Sequence, residues 1–476
     1  MSHGLIIKTL VIACFAICVK ATATQASNAP NIIVVHTSQS LPQALMTQLG
    51  SQGATLSRYA SPPVLSADRA ALITGRNPIR LGIAYNNIQA WDNAGIHSDE
   101  TTVAELLQTA GYQTAFWGNW GLGHAQEIYH PRAKGFDDFI GQLMIDADTL
   151  PPYRANGAID LQRNGVALAF DGHINQLVLD RLTSLLSKPL GKAPFFVFLS
   201  LSNSTSLGAT TATEAIKLVG KFLSTSPSAK NTLVVISNRP AANTEDNNRF
   251  LAAQNAMGNA VLIWPNRILQ GTVIETLTSP MDILPTLVSA TELKYKPRKK
   301  LDGMDLWPQL RGDKTAKPSV IDRTIILVHE SQYGTVKALQ LHNNASRTNG
   351  ELTAFSQTSH YRYTSLSIES RLCRLEGPSC IQIDNRTLAK DAKKTIRTQR
   401  SLHPINGIRH SDQAPAGWRA PQYWHRHTIP RRKLNPAAAP GDVPRIARTP
   451  LDYQLGDKGR IIYDCEPTWW LFNLCF

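Results

Sequence analysis

Four short apolar runs constrain what this chain can fold into more than any other feature. NIIVV (31–35), PFFVFLSL (194–201), NTLVVIS (231–237) and NAVLIW (259–264) are rich in β-branched or aromatic residues and bounded by polar ones. Runs of that length without polar alternation read as strands buried on both faces. Helical patterns lie between them. In TTVAELLQTAG, Val103, Leu106, Leu107 and Ala110 share one face, Asp99 and Glu100 sit at the start, and Gly111 closes it. Between 171 and 188, Ile174, Leu177, Val178, Leu182, Leu185 and Leu186 recur at helical spacing, and TEAIKLVGKFL and PMDILPTLVSA read as two further helices. Strands alternating with helices predict an α/β fold, a mostly parallel sheet flanked by helices. The pattern weakens from about 316 and becomes basic, Pro-rich and irregular over 388–450. The expected division is a main α/β domain over 28–315 and a smaller C-terminal α+β domain over 316–476.

The N-terminus carries Lys8, an apolar run over 10–19 and then Ala21-Thr22-Ala23, which predicts a signal peptide over 1–23. The run is too short to span a bilayer, and no later stretch approaches the length that would. The expected route is therefore secretory, without a membrane span. Cysteine usage agrees. Beyond the signal peptide, Cys373, Cys380, Cys465 and Cys475 form two close-spaced couples, as local disulfides in an oxidising compartment would. Pairing Cys373 with Cys380 and Cys465 with Cys475 is the simplest of three connectivities, with a zinc site as the rival reading. Asn203, Asn344 and Asn385 head glycosylation sequons.

The net charge is +14 and unevenly spread: between 391 and 450 there are twelve Lys or Arg against three Asp. This is either a solvated basic loop or a site for a polyanion. For a secreted chain the polyanion is a sulfated glycan rather than nucleic acid. Trp418, Tyr423 and Trp424 lie in this segment, where they could stack on sugar rings or simply pack.

A set of collinear motifs carries a family resemblance. APNIIVV, DRAALITGR, TTVAELLQTAGYQTAFWGNWGLG, KGFDDFIG, APFFVFLSL, NTLVVIS, MDILPTL, LDGMDLWPQLRG and the closing CEPTWWLFNLCF occur in this order. Together they resemble the sulfatase family of the alkaline-phosphatase-like superfamily, in its arylsulfatase B-like branch, over about 29–313 and the last dozen residues. The resemblance implies the sulfatase fold and a secreted or lysosomal protein. It also implies a chemistry built on formylglycine made from a cysteine, a calcium ion held by carboxylates and an amide, and Lys and His groups that stabilise charge and protonate the leaving oxygen. Relatives usually continue beyond the strand at which this chain stops, so a truncated relic is one reading of it.

The residues at those positions depart from the family pattern. The modifiable cysteine is Leu65, and of its motif only Arg69 persists. The paired aspartates after the first strand become Ser38 and Gln39, and the later Asp-Asn couple becomes Arg239 and Pro240. Arg239 puts like charge where a cation would sit. The Lys and His of the Gly-Lys-Trp-His-Leu-Gly motif become Asn119 and Gly121, a further His becomes Thr205, and a second Lys falls near Asn248. Neither calcium nor formylglycine is expected here. Ser66 is the nearest substitute nucleophile, but it would lack metal activation. Arg69 reads either as a structural arginine bonding nearby carbonyls or, paired with Arg239, as an anion clamp. Gly118, Gly121 and Gly123 lack the order of a phosphate-binding loop and read as an inherited turn. The expected function is a pseudoenzyme that binds sulfated glycans. A protein-interaction role, and a sulfuric ester hydrolase working through a non-standard site, are the alternatives.

Overall fold

The computed structural model describes residues 29–313, apart from 39–40, 63, 84–86, 89–91, 93, 125, 146–153, 156–157, 169, 188–192, 203–205, 240–256 and 296–297, together with four strands between 323 and 374. In chain order the main elements are β1 (Asn31–Thr37), α1 (Gln43–Gly50), β2 (Ala54–Ala60), α2 (Leu65–Thr74), α3 (Val103–Thr109), β3 (Gln113–Asn119) and β4 (Asp138–Gln142). Four short strands follow: β5 (Arg154–Ala155), β6 (Ala158–Ile159), β7 (Leu161–Arg163) and β8 (Val166–Ala167). Next come α4 (Ile174–Ser187), β9 (Phe195–Leu201), α5 (Ser206–Thr225), β10 (Thr232–Asn238), β11 (Met257–Ile263), β12 (Thr272–Ile274), α6 (Ile283–Ala290) and α7 (Trp307–Leu310).

A ten-stranded sheet in the order β12-β2-β11-β10-β1-β9-β3-β4-β7-β8 forms the centre. The block β10-β1-β9-β3-β4 is parallel, as the apolar runs predict, and antiparallel pairs join it on both flanks. Strand β11, from the run NAVLIW, is one of the antiparallel ones. Every residue of β1 is buried, and its side chains alternate between two cores. Ile32 and Val34 face α2, α3 and α6, while Ile33 and Val35 face α1, α4 and α5. Each such side chain contributes about 1.5–3 kcal/mol on burial, which explains why β1 has no polar face.

Helix α3 starts one turn later than its acidic prelude suggests. Thr102 Oγ1 accepts from the Glu105 N–H (3.1 Å) and Glu105 Oε2 from the Thr102 N–H (2.8 Å), a reciprocal cap. Glu100 instead meets Arg76 (3.2 Å) and Lys299 (3.1 Å). Beyond α7, the region of weakened pattern holds a four-stranded antiparallel sheet, β13 (Arg323–Ser331), β14 (Thr335–Asn343), β15 (Leu352–Arg362) and β16 (Ser365–Arg374), paired in chain order. Cys373 lies in β16 opposite Ala354. Residues 1–28 and 375–476, with the signal segment, Cys380, Cys465, Cys475, Asn385 and the basic segment with its aromatics, lie outside the described residues, as does Asn344.

Candidate functional site

Of the residues that the resemblance sets at catalytic positions, Leu65 and Arg69 lie on α2 and Asn119 at the end of β3, next to the loop carrying Gly121. Strand β2 leads through Ser61 and Pro62 into α2, whose first residue is Leu65, with Val64 at the cap position and no side-chain cap of its own. Nearly the whole helix is buried, so its polar members need partners. Ser66 is fully buried: its N–H donates to Asn87 Oδ1 (3.3 Å) and its hydroxyl oxygen accepts from the Ile88 N–H (3.1 Å). That hydroxyl ties down the loop after the helix instead of facing a substrate. Leu65, the first residue of α2, is half-buried and has only carbon in its side chain.

Arg69 is buried as well, and its Nη1 donates to the Trp120 carbonyl at 3.3 Å. It thereby braces α2 against the loop leaving β3. Gly121 makes room for it. That residue adopts φ of +67°, and a Cβ there would stand 2.7 Å from Arg69 Nη1 and 2.4 Å from a side-chain carbon of Ile145. Restoring the family histidine as Gly121→His is therefore expected to destabilise the fold by about 2–4 kcal/mol, from the left-handed backbone and the overpacking together. Urea denaturation followed by circular dichroism measures it. Asn119, at the lysine position, ends β3 and is buried.

Three of the strand ends carry polar side chains on the α2 face, and two of these join a buried network. Strand β1 puts His36 opposite Ser237 of β10, with Nδ1 3.1 Å from Ser237 Oγ. His36 Nε2 lies 3.0 Å from Asp68 Oδ2, both side chains being 1% exposed. Ser61 Oγ donates to the other Asp68 oxygen at 2.8 Å. Ser200, the third, sits one strand over on β9. Tyr59 lies beneath: burial foremost, and then the Asp68 charge, push its hydroxyl well above the usual phenol range. Arg239 follows β10, its N–H donating to the Thr37 carbonyl at 3.2 Å. Burial lowers the pKa of its guanidinium, while the nearby Asp68 charge works in the opposite direction.

Ser237, His36 and Asp68 have the connectivity of an acyl-transfer triad. Ser237 is fully buried in the sheet, however, and no substrate carbonyl can approach its oxygen. The arrangement cannot perform that chemistry; it surrounds a carboxylate that the fold has placed inside, with Ser61 donating to one oxygen and His36 at ion-pair distance from the other. Of the metal-ligand positions, Ser38 is buried at the exit of β1, where its N–H donates to the Leu201 carbonyl (3.2 Å). Gln39, Pro240, Thr205, Asn203 and Asn248 lie outside the described residues. Among the described residues no group of three or more His, Cys, Asp or Glu could hold a metal ion. Of those ligand positions the two described, Ser38 and Arg239, offer a hydroxyl and a guanidinium, which do not fit a calcium ion. The sequence located Leu65, Asn119, Gly121, Arg69 and Arg239 at this end of the sheet, but missed His36, Tyr59, Ser61, Asp68 and Ser237.

Comparison with known proteins identifies the frame around this site. Residues 26–210 match the family model described as sulfatase. Over that stretch the chain is similar to the sulfatase family. It is 27% identical over 328 residues to the N-acetylgalactosamine-6-sulfatase of Rattus norvegicus, covering 58% of this chain and 62% of that protein. The chain thus spans about three-fifths of the length of that relative. An 83-residue stretch, 17% of this chain and 15% of the relative, is 43% identical to arylsulfatase G of Rattus norvegicus. Among solved structures, that of Ps i-CgsB superposes with a TM-score of 0.64 at 18% identity, covering 79% of this chain and 94% of the other. The sulfatase fold is therefore retained, and among the described residues no helix is long and apolar enough to cross a membrane.

Proposed function

We propose that this chain is a secreted or lysosomal sulfatase-family pseudoenzyme that binds sulfated glycans without cleaving them. The observation that carries the reading is Leu65: the first residue of α2, at the family's nucleophile position, has no atom that can attack sulfur or be converted to an aldehyde hydrate. Its surroundings support the same conclusion, because Ser66 is committed to Ile88 and Arg69 to Trp120. The secretory route rests on the leader pattern over 1–23, the four remaining cysteines and the sequons at Asn203, Asn344 and Asn385. Glycan binding rests on the excess of basic residues over 391–450, with Trp418, Tyr423 and Trp424 among them. The name of the rat relative supplies the ligand class to try first, sulfated N-acetylgalactosamine polymers.

The test is sulfate release from chondroitin 4-sulfate and chondroitin 6-sulfate oligosaccharides by the purified protein with added calcium, beside an active sulfatase. The expected rate lies about 10⁶-fold or more below the control, the scale on which hydrolases lose activity with their nucleophile. Leu65→Cys is expected to leave it there, since Ser38, Arg239, Asn119 and Gly121 still lack the family's ligands and charges. Turnover that survives further purification and disappears with Arg69→Ala in a folded protein would overturn the reading. Retention on sulfated but not desulfated heparin, falling with salt, separates glycan binding from a protein partner.

A further inference from the structure

This site carries buried charge of its own. Asp68 is a buried carboxylate on α2, one residue before Arg69. A buried carboxylate is tolerated only when it is paired and hydrogen-bonded. Its partners come from three separate segments: His36 at the end of β1 (3.0 Å), Ser61 before α2 (2.8 Å), and, through His36, Ser237 at the end of β10 (3.1 Å). The Arg239 guanidinium, from the turn after β10, lies within Coulomb reach of the same carboxylate. The strand ends and the helix start are the elements on which the family mounts its cation, and here they are tied to one another by side chains.

We infer that Asp68, with Ser61 and His36 bonded or close to its oxygens and the Arg239 guanidinium nearby, forms an internal polar cluster that takes the place of the divalent cation as the tie between α2 and the ends of β1 and β10, so that the fold is indifferent to calcium. The inference deepens the pseudoenzyme reading and rests on its alignment of the metal-ligand positions. A divalent ion entering this site would face the guanidinium and find few of the charged oxygens it needs. Asp68 cannot serve as its ligand without giving up His36 and Arg239. The Arg239 guanidinium offsets the Asp68 charge, and with His36 and Ser61 beside the same carboxylate the cluster leaves no demand for a metal.

Thermal unfolding of the whole chain tests this without relying on catalysis. Melting temperatures in millimolar calcium and in excess EDTA are expected to agree within about 1 °C. A site held at a hundred times its Kd would instead raise the midpoint by roughly 5–8 °C. Asp68→Asn is expected to lower the midpoint by about 5–10 °C, and Arg239→Gln to lower it as well. The double variant should lose clearly less than the sum, because each single change strands the other group. A saturable rise with calcium overturns the inference, and so does strict additivity of the two substitutions. If Asp68→Asn does not fold, the calcium comparison on the unsubstituted chain still decides. A calcium response without sulfate release would sink this inference and leave the proposed function standing; sulfate release would sink the function itself.

Discussion

Gly118→Ala is expected to prevent the chain from reaching its folded state. Gly118 lies near the end of β3, paired with Ser200 of β9 on one side and Gly141 of β4 on the other. It adopts φ of +115°, and a Cβ added there would stand 1.9 Å from the Ser200 backbone carbonyl oxygen. No rotamer change relieves a clash with backbone, so either the β3–β9 ladder opens or the strand shifts. Either outcome disrupts the parallel block in the middle of the sheet. The loss is expected to reach about 5 kcal/mol or more, at the far end of what single substitutions do. Soluble yield and the cooperativity of urea unfolding measure it. A folded Gly118→Ala protein with an unchanged midpoint would mean that β3 and β9 are not this close.

Asp138→Leu comes next in size. Asp138, the first residue of β4, is fully buried and accepts from Arg181 Nη2 (2.8 Å), Trp117 Nε1 (3.2 Å), Arg163 Nε (3.3 Å) and Asn164 Nδ2 (3.3 Å). Arg181, on α4, is also fully buried and lies over the Trp117 ring, 5.1 Å from its centroid. Removing the carboxylate strands that guanidinium in an apolar core, a change that typically costs about 3–5 kcal/mol. Chemical denaturation should show the loss as a lowered midpoint with an unchanged slope. Adding Arg181→Met should recover much of it, because replacing both members of a buried pair removes the stranded charge. If the double variant is as unstable as the single one, packing against Trp117 rather than charge neutralisation is what Asp138 and Arg181 provide.

The elements legible in the sequence are those whose physics is local. β1, β9 and β10 are buried on both faces, so their lack of alternation announces them, and α4 and α5 carry one apolar stripe each. Helix α2 is harder to read because it is buried almost all round: LSADRAALIT has no polar face to set the period. The four strands after 323 were not legible against a weak background pattern. At the site, Leu65, Asn119 and Gly121 could be placed because they sit inside motifs that are continuous along the chain. The Asp68 cluster could not. His36 and Ser237 are 201 residues apart and meet only through the register of β1 with β10. The signal available was indirect: two charged residues, Asp68 and Arg69, in the middle of an otherwise apolar segment, each of which needed a partner from elsewhere.

The strand order also has a consequence for how the molecule is made. β1 is flanked by β9 and β10, so Ile32 waits for Phe196, and Asn31 for Thr232, strands that are synthesised long after it. At ordinary ribosomal speeds of about 5–20 residues per second, roughly 10–40 s pass between the emergence of β1 and that of its second neighbour. Until β9 emerges, β1 has no native strand to pair with, and the loop to be closed is among the costliest kinds for folding rate. Any nascent fragment ending before β10 carries an open, hydrophobic sheet edge. The yield of this chain in a cell should therefore depend on chaperones that hold the N-terminal third until the centre of the sheet has been synthesised.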